Sequence, residues 1–277
     1  MKLIHISDIH INSEPILDSN PIDNFELCMA HVEKYHNDAD MFVITGDLTH
    51  HGQRSSYESL RSMLDGWSVS PYLILGNHDH RETFQSLFPE TEVDENGFIQ
   101  YVIERKEGLF IFLDTIQFGT HAGHFCEKRQ SWLRRQLELA AGKHQPVFLF
   151  MHHNPVEVGV KSSDSIGLVD GPAFREILSE YRNVIRHVFF GHCHYILSGS
   201  VCGIPMSAPR STNHPCVPDF SGTDDLGFAP FPPTYNVCLI DDQSVVVHSI
   251  DFRDEDKIIW LESTSDGWIE ETIPEEA

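Results

Sequence analysis

Positive charge is scarce in this chain: Lys and Arg number 19 against 42 Asp and Glu, a formal net charge of −23 over 277 residues. Polyphosphate backbones are bound largely by neutralising their phosphates with Lys and Arg, and a surface of this sign repels them. No basic run offsets it, which disfavours a nucleic-acid partner. Long apolar runs are missing too. No stretch approaches the ~20 residues that cross a bilayer, so no membrane span is expected. Met1 and Lys2 lead directly into the β-type run Leu3–Ile6, without the apolar segment and small-residue cleavage site of a signal peptide. The cysteines are scattered (Cys28, Cys126, Cys193, Cys202, Cys216, Cys238). A chain of this length needs no covalent staples, so free thiols and a cytoplasmic location are expected. No internal repeat is evident, and no motif presents a Ser or Cys nucleophile.

What the chain does have is apolar material: hydrophobic residues make up 40% of it, enough for a sizeable core. The runs Leu3–Ile6, Met41–Thr45, Tyr72–Leu75, Leu109–Leu113, Val147–Met151 and Val184–Phe190 fit strands buried on both faces. Helical patterns lie between them. Pro21 suits a first helical position with Asn20 as cap, and Ile22, Phe25, Met29 and Val32 form a stripe. Ser55-Ser56-Tyr57-Glu58 reads as a capping box. Glu127–Ala141 carries Trp132, Leu133 and Leu137, and a helix opening at Asp170-Gly171-Pro172 would bury Phe174, Ile177, Leu178 and Tyr181. This alternation predicts a layered α/β domain, with Ile99–Ile103 and Leu109–Leu113 as an antiparallel hairpin.

The character changes near residue 200. Pro205 to Pro233 is dense in Pro, Gly and Asp, with Phe220, Phe228 and Phe231 spaced through it, and three short strands follow at Tyr235–Ile240, Val245–Ile250 and Ile258–Leu261. The expected division is a main α/β domain over residues 1–200 and a tail over 201–277. Three strands alone rarely stand, so the tail reads as a small β-rich cap or an oligomerisation element. The three phenylalanines could wall a pocket or form the apolar seam of a homo-oligomer, a dimer or higher; the seam is the favoured reading.

Five clusters of ligand-type residues fall at the carboxyl ends of the predicted strands: Asp8-Ile9-His10, Gly46-Asp47, Gly76-Asn77-His78-Asp79, His152-His153 and Gly191-His192-Cys193-His194. Ligands of open α/β sheets gather beyond those ends. If the strands stay extended, Asp8 and His10 share a face, as do His192 and His194, whereas His152 and His153 point apart. The glycines permit sharp exits and close approach. Any one cluster is an ordinary turn or a buried histidine, but five in this order are not. Imidazole, carboxylate and carboxamide together suit Mn²⁺, Fe²⁺/³⁺, Zn²⁺ or Co²⁺.

The order D-x-H, G-D, G-N-H-D, H and G-H-x-H over residues 1–195 resembles the calcineurin-like metallophosphoesterase superfamily. The opening Met1 to Asp8 and the run Met151-His152-His153-Asn154-Pro155 are most similar to its class III cyclic nucleotide phosphodiesterase and glycerophosphodiesterase group, and Pro209 to His214 resembles a Pro-Ser/Thr-x-His stretch there. The resemblance implies an αββα-type sandwich and two metal ions, Mn or Fe favoured over Zn or Co. Asp8, His10 and His194 would hold one ion, Asn77, His152 and His192 the other, with Asp47 bridging. The Tyr that a purple acid phosphatase offers after G-D is replaced here by Asp47-Leu48-Thr49-His50-His51, which argues against that type.

The implied activity is hydrolysis of a small-molecule phosphodiester, a 3′,5′-cyclic nucleotide or a glycerophosphodiester, by in-line attack of a metal-bridging hydroxide. His78 is the candidate for assisting the leaving oxygen, with Asp79 orienting its imidazole. Asn77, His78 and His214 are the candidates for contacting substrate. Asp219, Asp224 and Asp225 would repel a second phosphate. The alternatives are a phosphomonoesterase, protein phosphatase or nuclease on the same scaffold, or a scaffold without metals; all seven candidate ligands are present, which weighs against the last.

Overall fold

The computed structural model describes residues 1–253 and 257–260. Its first half runs β1 (Lys2–Ile6), α1 (Pro21–His36), β2 (Met41–Thr45), α2 (Arg54–Asp65), β3 (Tyr72–Ile74) and α3 (Arg81–Leu87). The α1 start follows its sequence signature: Pro21 is the first helical residue, and Asn20 accepts from the Ile22 and Asp23 amides. The α2 start does not. Helix begins at Arg54 with Gln53 as cap and no side-chain cap bond, so Ser55 lies inside the first turn. The Gln53 carbonyl already receives the Ser56 and Tyr57 amides, two residues ahead of the cap that the box would place at Ser55. The short α3 is anchored at its start by His80, whose ring accepts from the Thr83 amide.

The chain continues through β4 (Tyr101–Arg105), β5 (Gly108–Phe112), α4 (Glu127–Gly142), β6 (Val147–Phe150), α5 (Lys161–Asp164), α6 (Gly171–Glu180) and β7 (Ile185–Phe189). It ends in β8 (Leu197–Val201), β9 (Ile204–Ala208), β10 (Cys216–Val217), β11 (Gly227–Phe228), β12 (Thr234–Ile240) and β13 (Val245–Asp251). Two sheets result, ordered β13-β12-β1-β2-β3 and β4-β5-β6-β7-β9-β8, with β10 and β11 as a separate two-stranded ribbon. In the first, β1, β2 and β3 are parallel and β12 and β13 antiparallel. In the second, β5, β6, β7 and β9 are parallel, flanked by antiparallel β4 and β8.

Period two along β5 and β6 explains the layering. Phe110, Phe112, Phe148 and Phe150 share one core with β1, β2 and helices α1 to α3, while Leu109, Ile111, Val147 and Leu149 share the other with α4 and α6. The inner face carries a row of stacked rings, Tyr101–Phe112 at 4.7 Å, Phe112–Phe150 at 4.9 Å and Phe150–Phe189 at 4.8 Å. Offset stacking of this kind adds to simple burial.

The tail differs from the expected cap. Its strands β12 and β13 form no layer of their own. β12 lies in register against β1, Leu3 opposite Cys238 and His5 opposite Asn236, and Tyr235, Cys238 and Ile240 are buried in the core that β1 shares. A free ribbon buries only one face, whereas an open edge of a buried sheet supplies both pairing and core. Ile258–Trp260 is not a strand, and Leu261 lies outside the described residues.

Candidate metal centre

The ligand-type clusters sit just past strand ends, and the backbone turns sharply there. β1 ends at Ile6, β7 at Phe189 and β6 at Phe150. The expectation that extended geometry carries Asp8 with His10 and His192 with His194 is corrected: all four have positive φ (56°, 48°, 69°, 57°), and so does Asp47 at 48°. A left-handed conformation at a non-glycine residue costs roughly 1–2 kcal/mol, and such strain gathers where side chains must converge. Hydrogen bonds between loops hold the turns. The Asp8 amide donates to Gly46 O, His10 N to Asp47 O, and His192 N to both Asp8 carboxylate oxygens at 3.1 Å. Two glycines make the crowding possible. Gly46 has φ +93°, and a Cβ on Gly76 would sit 2.2 Å from Asp47 Oδ1.

The seven candidate ligands meet. His10 Nε2 lies 3.1 Å from His194 Nε2 and 3.5 Å from Asp47 Oδ2; His194 Nε2 lies 3.4 Å from Asp8 Oδ1. On the other side of Asp47, His152 Nε2 is 3.4 Å from its Oδ1, and Asn77 Oδ1 lies 3.1 Å from His152 Nε2 and 2.8 Å from His192 Nδ1. Ligand atoms of Asp8, His10, Asp47 and His194 all fall within 4.8 Å of one another. The tautomers suit cations. His152 donates from Nδ1 to Thr45 O at 2.7 Å and His194 from Nδ1 to His214 O at 2.9 Å, so each neutral ring turns its Nε2 lone pair inward. A carbonyl behind the ring is the usual way a protein orients a metal-binding imidazole.

The electrostatics agree. Burial disfavours a charged His152, but the Asp47 and Asp8 carboxylates outweigh it and hold its pKa at about 9. Burial opposes charge on His194 as well, yet Asp8 drives it well above the usual imidazole range. Two buried carboxylates thus attract positive charge that bound cations would supply in place of protons. The donor set therefore fits two metal ions of the nitrogen- and oxygen-preferring kind.

His78 borders this centre. Its amide donates to Asp47 Oδ1 at 2.9 Å, its Nδ1 donates to His50 O at 2.7 Å, and its Nε2 lies 4.0 Å from Asp47 Oδ2. Asp79 does not orient it. Asp79 instead accepts from the Gly76, Leu48 and Thr49 amides and from the Tyr57 hydroxyl at 2.8 Å, tying together the two loops that carry Asp47 and Asn77. Burial, then Asp47, pushes its pKa up to about 6. The His214 ring sits 4.4 Å from both His10 and His194; burial and His194 drive its pKa down to about 2. His153 faces away from the centre, bonding Thr115 Oγ1 at 2.8 Å and His121 O at 3.1 Å.

Two neighbours lay outside the sequence reading. His50 Nδ1 is 3.3 Å from His10 Nδ1 and its ring stacks on His78, 5.1 Å away. His121 meets the Asn77 amide at 2.9 Å. The doubled His50-His51 beside Asp47 is a local signal; His121 belongs to a loop with none. Of the tail phenylalanines, Phe228 faces the centre, 5.9 Å from His214, while Phe231 covers the Arg210 guanidinium at 5.2 Å and Phe220 is 73% exposed.

Two facing sheets with buried Asp and His and a partly exposed Asn set on the loops beyond their strand ends define a dinuclear metallohydrolase scaffold. The chain belongs to the calcineurin-like phosphoesterase family, whose sequence model matches residues 1–195. It is 30% identical over 256 residues to a probable cyclic nucleotide phosphodiesterase of Rhodopseudomonas palustris, covering 91% of this chain and 93% of that one. It is 28% identical over 255 residues to a probable glycerophosphodiester phosphodiesterase of Arcobacter nitrofigilis, covering 90% and 92%. In fold it is similar to the crystal structure of a dimetal phosphatase from Danio rerio, with TM-score 0.67 at 13% identity over 90% of this chain and 95% of that one. Among the described residues, no helix is long and apolar enough to cross a membrane.

Proposed function

We propose that this chain is a two-metal phosphodiesterase of small molecules. Asp8, His10 and His194 would hold one ion and Asn77, His152 and His192 the other, with the Asp47 carboxylate available to both. The carrying observation is the convergence of these side chains with the lone pairs of His152 and His194 already turned inward by Thr45 O and His214 O. The relatives' names, a cyclic nucleotide and a glycerophosphodiester phosphodiesterase, support diesters as the substrate class. The donor set takes Mn, Fe, Zn or Co, and the family resemblance favours Mn or Fe among them. Residues 201–277 supply His214 and Phe228 to the centre, and the exposed Phe220 and Phe231 form the seam of a homo-oligomer.

When bound, the metal pair supplies Lewis acidity that activates water and polarises the phosphoryl oxygens. The protein does the rest. Asn77, His78 and His214 border the space for the phosphate. His78 keeps its Nδ1 proton on His50 O, so its Nε2 is the atom that carries a proton to the leaving oxygen. Burial of Asp8, Asp47 and His152 keeps bulk water from these donor atoms and so strengthens their pull on a cation.

The test compares turnover of bis(p-nitrophenyl) phosphate, 3′,5′-cAMP, glycerophosphocholine and p-nitrophenyl phosphate by Mn²⁺-loaded protein. At least one diester is expected to exceed the monoester in kcat/KM. A monoester turned over faster than every diester removes the substrate class, and sedimentation as a monomer removes the assembly.

A further inference from the structure

Two cavities open from the metal centre, one of about 420 Å³ and one of about 470 Å³. Four side chains line both, His50, Asn77, His78 and His121, so the cavities meet where the phosphate would sit. Each is of a size that takes a small organic group. Their far walls come from different parts of the chain. The smaller is bordered by the loop between β5 and α4, which carries Phe118, 84% exposed with its ring edge-on to His80 at 5.8 Å. The larger is lined by Leu17, Leu226 and Phe228, which are apolar, and by Ser162, Ser163 and Ser165. Among the described residues, its lining contains no Lys or Arg, and Asp224 lies in it.

From this arrangement we infer that the site is built for an open-chain diester, one phosphate between two separately bound alcohols, with Phe118 and Phe228 as the specificity-determining residues of the two arms. The inference rests on the phosphodiesterase reading and narrows it. A 3′,5′-cyclic diester returns both ester oxygens to one sugar, so its single alcohol fills one cavity and leaves the other empty. An open diester fills both. The larger cavity offers hydroxyls and apolar surface, its lining carries Asp224 and no Lys or Arg, and the nearby Lys161 is already paired with Asp224 at 2.7 Å, so its arm is an alcohol without a second phosphate. Hydrolysis forms one P–O bond from water and breaks one ester P–O bond; the water's proton ends on the departing alcohol, and the monoester stays in the other arm.

The experiment uses Mn²⁺-loaded protein and the variants Phe118→Ala, Phe228→Ala, both together, and Phe220→Ala as a control that lines neither cavity. On bis(p-nitrophenyl) phosphate each single change is expected to lower kcat/KM roughly 5- to 10-fold, the scale of one aromatic contact. The double change should lower it by about the product, because separate cavities act independently. Wild-type kcat/KM for this open diester should exceed that for 3′,5′-cAMP about tenfold or more, with leaving-group reactivity matched by including glycerophosphoethanolamine, which should also outrun cAMP. Equal turnover of cAMP and glycerophosphoethanolamine, or an effect from only one of the two phenylalanines, overturns the inference. Calorimetric binding of the open diester to the same proteins separates the two readings. Weaker binding in both variants with no hydrolysis of any diester removes the phosphodiesterase and keeps the two arms; unchanged binding removes the arms.

Discussion

The Asn77 carboxamide is held from behind by His121: its Nδ2–H donates to His121 Nδ1 at 2.9 Å, while its Oδ1 faces His152 Nε2 and His192 Nδ1 at 3.1 and 2.8 Å. An amide presents either an oxygen or a nitrogen, and only the oxygen binds a cation. His121 decides which end points inward. Its backbone is secured in turn, since His153 Nε2 donates to His121 O at 3.1 Å.

Replacing His121 with Ala is therefore expected to weaken the metal position that contains Asn77 by about 10- to 100-fold, the usual worth of such an orienting partner. Titration of the apo-protein with Mn²⁺ should resolve one weakened site and one unchanged. Two unchanged sites would show that the amide is held by other means.

Asp47 and His78 should separate metal binding from chemistry. Asp47→Ala is expected to cost at least one of two bound metals per chain by elemental analysis, with activity falling more than about 100-fold. His78→Ala should keep both metals and slow turnover roughly 10²- to 10⁴-fold. Loss of metal from the His78 variant would place that ring among the ligands.

Away from the centre, Asp114 is fully buried and accepts from Arg81 Nε and Nη2 at 2.8 Å, from Arg129 Nη1 at 3.3 Å, and from the Ile99 and Ile116 amides. Arg129 is itself buried. Removing one partner of such a group strands the other charge, so Asp114→Ala is expected to cost about 3–5 kcal/mol in denaturant unfolding. A loss under about 1 kcal/mol would mean that water reaches Arg129.

Acid should destabilise the protein through His187, which lies between the sheets against Phe189 and bonds Ser207 Oγ at 2.9 Å. Burial lowers its pKa to about 4, against ~6.5 in the unfolded chain. Between those values the unfolded chain binds a proton that the folded one refuses. Stability from this group is whole above pH ~6.5 and falls toward pH ~4 by about 1.4 kcal/mol per pH unit. In His187→Phe the slope of unfolding free energy against pH should be shallower by one proton over that window. An unchanged slope would show that the ring stays protonated when buried.

Local chemistry carried much of this molecule into view before any coordinates. The runs Met41–Thr45 and Val147–Met151 read as buried strands because both faces are apolar, and the structure ends them within a residue of those bounds. Asn20 and Pro21 marked the start of α1. Asp8, Asp47, Asn77, His152 and His192 stood out because ligand-type residues rarely close five apolar runs in succession. Elsewhere the local signal misled. Ser55 to Glu58 has the letters of a capping box, but the turn at Gln53 began the helix two residues earlier. Asp79, adjacent to His78 in sequence, turned to backbone amides across the loop instead, since a buried carboxylate takes the strongest donors within reach.

The order of residues by itself determined the donor types, the strands that carry them and the negative surface, because each depends on side-chain chemistry and on repeats only a few residues long. Tertiary structure alone decided that β12 closes against β1, that His121 reaches Asn77 from 44 positions away, and that two cavities part at His78. Those are meetings between distant segments, set by how whole sheets and loops fill space, and nothing in the neighbours of a residue encodes which far segment will be pressed against it.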